Sequence, residues 1–75
     1  MKRIAVESTS LAAVAYQAER ELLQIEFRDG SIYQYFSVPA ELHDGLLQAT
    51  SKGGYFNRAI RGKFAYAPRS ASTDA

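Results

Sequence analysis

The chain contains no cysteine, which excludes disulfide staples and thiolate metal sites. Its single histidine, His43, has no second imidazole to share a metal with. His43 falls on the helix side expected to face solvent, where a neutral surface role fits it. No apolar run approaches the roughly 20 residues that a membrane helix needs. The start, Met1 to Glu7, is basic but lacks the apolar stretch of a signal peptide. The expectation is a cytoplasmic protein. Glu26, Glu41 and Asp44 lack the spacing of an acid/base pair. Lys52-Gly53-Gly54 only loosely resembles a phosphate-cradling turn, because the phosphate-loop pattern is missing. These absences point away from an enzyme, and no cofactor or metal is expected.

What the chain has is enough for one small domain. Seventy-five residues with 47% apolar content suit a folded globule rather than a disordered chain. A domain of this size buries only about 60% of its unfolded-chain surface, so stability is a few kcal/mol. The net charge of +1 is unevenly placed. Residues 1–48 carry a net −3 and residues 49–75 a net +4. Such asymmetry suggests an anionic partner for the C-terminal third. A solvated basic surface is the plainer alternative.

The stretch from Leu22 to Val38 organises the rest. Two β-branched and aromatic runs flank Asp29-Gly30, a strong hairpin signal. A two-residue turn would pair Phe27 with Ile32 and put Gln34 among the apolar side chains. A three-residue loop, with Gly30 left-handed as a G1 bulge, pairs Phe27 with Ser31 instead. Ile25 then faces Tyr33 and Leu23 faces Tyr35, leaving Gln24, Glu26, Ile32, Gln34 and Phe36 on the other face. Burying Gln34 unpartnered costs roughly 1–3 kcal/mol, so the three-residue loop is expected.

Before the hairpin, residues 4–7 read as a short edge strand or a leading arm. Leu11 to Tyr16 reads as a strand by the period-two placing of Val14 and Tyr16. Its alanines weaken that reading, and a helix capped by Ser10 is the rival. After the hairpin, Pro39 fits the first position of a helix running to Ala49, with Glu41 in its first turn. Leu42, Leu46 and Ala49 share its apolar face. Gly45 in mid-helix costs up to about 1 kcal/mol against Ala and signals close approach to another backbone. Ser51 caps a second, shorter helix through Ile60, with Phe56 and Ile60 inward. Lys63 to Ala67 alternates as a strand or strap until Pro68.

The expected architecture is α+β: a three-stranded antiparallel meander with one main helix and a second short helix covering one face. The domain spans residues 1–69, followed by a disordered tail over 70–75. The expected core is Val14, Leu23, Ile25, Phe27, Tyr33, Tyr35, Leu42, Leu46, Phe56 and Ile60.

The candidate site lies in the basic third. Lys52, Arg58, Arg61, Lys63 and Arg69 interleave with Tyr55, Phe56, Asn57, Phe64 and Tyr66. Basic groups neutralise phosphates and release counterions, and exposed aromatic faces stack unpaired bases. Lys52, Arg58, Arg61 and Lys63 are the expected phosphate contacts, assisted by backbone N–H groups near Gly53. Tyr55, and after it Tyr66, are the stacking candidates, with Asn57 beside them. Phe56 and Phe64 are read as core. Tyr33 and Tyr35 are read as inward-facing, with a stacking platform as the alternative.

Certain motifs carry a family resemblance. They are Ser8-Thr9-Ser10-Leu11 with Tyr16, Leu23-x-Ile25-x-Phe27-x-x-Gly30, Tyr33-Gln34-Tyr35, Val38-Pro39, and Ser51-Lys52-Gly53-x-Tyr55-Phe56-Asn57-x-x-Ile60-Arg61. Together they resemble the KTSC domain, over roughly residues 8–66. That family takes its name from the C-terminus of some lysyl-tRNA synthetases and also occurs as a stand-alone small bacterial protein. The resemblance implies a bacterial or phage-type cytoplasmic setting and a nucleic-acid module, RNA before DNA. It brings no catalytic residues. The competing class is a protein-interaction or self-associating module using Ile32 and Phe36 on the open sheet face.

Overall fold

In the computed structural model the hairpin takes the three-residue loop. The Phe27 amide donates to the Ser31 carbonyl at 2.9 Å, and Ile25 pairs with Tyr33 and Leu23 with Tyr35. Gly30 sits at φ +94°, which a residue with a side chain rarely adopts. The structure describes residues 2–69, so the expected disordered tail over 70–75 lies outside the described residues.

In chain order the elements are strands β1 (Lys2–Ala5) and β2 (Leu11–Gln17), a 3₁₀ turn (Ala18–Arg20), strands β3 (Leu22–Phe27) and β4 (Ile32–Tyr35), helices α1 (Ala40–Gln48) and α2 (Lys52–Ala59), and strand β5 (Tyr66–Arg69). The α+β class holds. The three-stranded meander is corrected to a five-stranded antiparallel sheet in the order β1-β2-β3-β4-β5. Both added strands are four-residue edges: the edge strand read at 4–7 lies at Lys2–Ala5, and the strand or strap read over Lys63–Ala67 lies at Tyr66–Arg69 and runs through Pro68. An edge strand tolerates that proline because its missing N–H takes nothing from an inner ladder.

The register lays two inward rows across the sheet. One runs Tyr16, Leu23, Tyr35, Tyr66; the other runs Ile4, Val14, Ile25, Tyr33, Pro68. The outward rows hold Arg3, Ala15, Gln24, Gln34 and Ala67, and Ala5, Ala13, Glu26, Ile32 and Arg69. Arg3 reaches across β2 to pair with Glu26 at 2.8 Å. Small side chains at 13 and 15 leave room for that reach, which accounts for alanines in a strand.

Both helices lie on the inward rows. The core contains Leu11, Val14, Leu23, Ile25, Tyr35, Val38, Leu46, Phe56 and Ile60. Leu11 and Val38 are additions to the expected set. A bulge between Leu11 and Ala13 turns Leu11 inward, and the Val38 amide is held by the Glu21 carbonyl at 2.8 Å. Phe27, Tyr33 and Leu42 pack against this core but stay partly exposed.

Three local expectations change. Pro39 is the N-cap, with φ −64° and ψ 151°, rather than the first helical residue. His43 is not on the solvent side. It stacks on Tyr16 at 4.7 Å between ring centroids, because α1 lies over the Tyr16 end of the inner row. Gly45 admits a side chain rather than a backbone. A Cβ there would fall 2.8 Å from Cζ of Tyr55. The Ser51 cap is as expected, its hydroxyl accepting from the Gly54 amide at 3.2 Å.

Candidate functional site

Where α2 crosses the β4–β5 edge it leaves a cleft of about 490 Å³. Phe27, Tyr33, Tyr35 and Tyr66 come from the sheet. Gly53, Phe56 and Asn57 come from α2, and Arg61 and Gly62 from the turn after it. Ser10 and Leu11 close the end near β2.

Period-two alternation brings the tyrosines here. Tyr35 and Tyr66 are register partners and stack at 5.5 Å with 28° between their planes. Tyr33 leans on Tyr66 at 5.7 Å and meets Phe27 edge-on. Phe56 meets both Phe27 and Tyr35 edge-on, the arrangement that aromatic quadrupoles favour. Tyr35 is buried, while Tyr66 is 57% exposed. Burial pushes the Tyr35 hydroxyl above its ordinary value. Tyr66 adds to the rise and Arg61 opposes it.

The other wall is held by polar contacts. Arg61 Nη1 donates to Asn57 Oδ1 at 3.4 Å. The Ser8 hydroxyl accepts from the Ser10 and Leu11 amides, both at 3.2 Å. Arg28 fixes the same loop, its Nε donating to the Ser8 carbonyl and its amide to the Ser10 carbonyl, each at 2.9 Å. A Cβ on Gly53 would lie 3.3 Å from Ser10 Oγ. Gly53 therefore lets the serine loop close against α2.

The expected basic-aromatic face divides in two. Gly53 and Asn57, four apart on α2, reach the cleft with Arg61 and Tyr66. Tyr55 and Arg58, three apart, face a separate hollow between the helices with Gly45 and Gln48. Lys52 donates to the Ala49 carbonyl at 3.0 Å, at the end of α1. Lys63 is exposed and lines neither. Arg69 turns to the outward sheet face, where it donates to Gln24 at 3.1 Å. The cleft also takes in Ser10, Leu11, Phe27, Phe56 and Gly62, which the sequence reading leaves outside the site, and Tyr33 and Tyr35, which it reads as inward with a stacking platform as the alternative. The two tyrosines were legible from their alternation. Ser10 carried only its place in the Ser-Thr-Ser motif.

The KTSC domain model matches residues 7–64. The chain belongs to the KTSC domain family. A crystal structure of a KTSC domain protein from Yersinia pestis superposes with a TM-score of 0.88 at 34% identity, covering 92% of this chain and 97% of that one. An uncharacterised protein of Stutzerimonas stutzeri is 41% identical over 61 residues, 81% of this chain and 86% of its own length. A lysine–tRNA ligase of Nostoc punctiforme is 40% identical over 60 residues, 80% of this chain but 11% of the ligase. The KTSC chain thus spans about a tenth of that enzyme. All the cleft residues except Tyr66 fall inside the matched range.

Proposed function

We propose that this KTSC domain is a non-catalytic module that binds single-stranded nucleic acid, RNA by preference, through the cleft between α2 and the β4–β5 edge. One observation carries the reading: Arg61, Asn57 and the exposed ring of Tyr66 line one cleft together with Tyr33 and Tyr35. A cation beside an accessible aromatic face suits a phosphate beside an unpaired base. Stacking contributes about 1–3 kcal/mol per base, and one phosphate contact adds a salt-dependent share. Similarity to a segment of lysine–tRNA ligases supports RNA as the strand.

Self-association through the open sheet face is the second reading. Phe36 is 40% exposed, but Arg3–Glu26 and the Gln34–Gln24–Arg69 hydrogen bonds make much of that face polar. The test is a titration of isotope-labelled protein with short single-stranded RNA and DNA at two salt concentrations. Shifts at Arg61, Asn57 and Tyr66 support the cleft. A concentration-dependent change in size, with no response to RNA, supports self-association.

A further inference from the structure

We propose that the cleft takes one nucleotide unit, a single unpaired base with one phosphate, rather than a run of stacked nucleotides. The inference rests on the nucleic-acid reading above and narrows its ligand.

The accessible aromatic surface sets the number of bases. Tyr66 is the cleft ring with a largely open face. Tyr35 is buried, with Tyr66 stacked on it and Phe56 meeting it edge-to-face. Tyr33 is occupied by Phe27 and Tyr66. An entering base therefore extends the Tyr35–Tyr66 stack by one ring, and no second platform follows among the described residues.

The cations set the number of phosphates. Arg61 is the cation in the cleft lining. Arg58 faces the hollow between the helices, Lys52 is turned to the end of α1, and Arg3 and Arg69 serve the outward sheet face. Arg28 is bonded to the Ser8 carbonyl, and Arg20 lies on the 3₁₀ turn. Lys63, though exposed beside Gly62, lines neither cavity. Proteins that track a strand repeat these elements along a basic groove, with about 4–16 nucleotides per site. A volume near 490 Å³ is in the range of small-ligand pockets, roughly 300–1,000 Å³, and suits one nucleotide better than a track.

A free nucleotide and an unpaired nucleotide within RNA share this chemistry, so the test separates them by length. Labelled protein is titrated with adenosine and uridine 5′-monophosphates, then with oligoadenylates and oligouridylates of two, four and eight units, at 50 and 200 mM salt. The expected result is that every ligand shifts Tyr66, Asn57 and Arg61. Affinity rises from two units to eight by no more than the ratio of units on offer. The salt increase weakens binding roughly threefold, from a slope of about −0.7 for one phosphate, and Arg61→Ala removes that loss. Affinity that climbs more than tenfold over the same lengths, with a slope steeper than about −2, overturns the single-unit site while nucleic-acid binding stands. Monophosphates that bind while the oligonucleotides do not assign the site to a free nucleotide, which keeps the single unit and overturns the RNA reading. No shift at the cleft with any of these ligands overturns both.

Discussion

The rings of Tyr16 and His43 lie nearly parallel, 11° apart, joining the end of β2 to α1. The Tyr16 hydroxyl donates to the Val38 carbonyl at 2.5 Å, so this contact also fixes the chain entering the helix. His43 Nε2 is buried without a partner. Burial holds the imidazole below its ordinary value of 6.5, and Asp44, whose Oδ1 lies 3.8 Å from Nδ1, opposes that shift.

A folded-state value below the unfolded one means that the unfolded chain binds the proton more readily. The stability His43 contributes is full above the unfolded value. It is lost as pH falls from about 6.5 towards the depressed folded value. Urea midpoints should therefore drop between pH 7.5 and 5.5. His43→Phe keeps a ring on Tyr16 and cannot titrate, so its midpoint should vary less over that interval. An equal drop in the variant would show that another group is responsible.

Gly45→Ala should destabilise the domain by roughly 1–3 kcal/mol, the range for overpacking. In an open helix the same change would stabilise by up to about 1 kcal/mol. The sign measured by denaturant unfolding therefore tests the Tyr55 contact. In a Tyr55→Ala background the penalty should vanish, because the ring it meets is gone.

Leu23→Ala removes a fully buried side chain from the central strand and should cost about 2–5 kcal/mol. For a domain this small, circular dichroism at room temperature should show partial or complete unfolding.

Gly30→Ala puts a side chain at φ +94° and should cost on the order of 1–2 kcal/mol from left-handed strain. The cost comes from the backbone alone, since nothing lies within 4 Å of the added Cβ. Gly30→Asn should therefore cost less than Gly30→Ala, as Asn tolerates this region better.

Arg61→Ala and Arg58→Ala should differ in oligonucleotide affinity although both residues are exposed and lie three apart. Arg61→Ala should weaken binding and flatten its salt dependence by about 0.7 in slope. Arg58→Ala should leave both nearly unchanged, since its side chain lines the other hollow. Equal losses would return the site to a single basic face.

Local chemistry determined much of this molecule. The Asp29-Gly30 loop, the inward tyrosines, the Ser51 cap and the two helices were legible because turn geometry and side-chain period act over a few residues. The outer strands were harder to read. β1 and β5 carry only short strand signals, displaced by two or three residues from where they pair, and their bounds are set by the edge the sheet offers each. The site divides on the same principle. Sequence grouped Lys52, Tyr55, Arg58 and Arg61 by proximity along the chain, while the packing of α2 on the sheet sent Arg61 to the tyrosines and Arg58 to α1. Helix spacing alone puts His43 towards solvent, whereas its stacking partner is 27 positions away on β2. Sequence by itself determined the central hairpin, its register and the two helices, because those follow from turn chemistry and side-chain period within a few residues. Only the tertiary structure decided which exposed side chains share a cleft, because that depends on where two elements distant in sequence come to rest against each other.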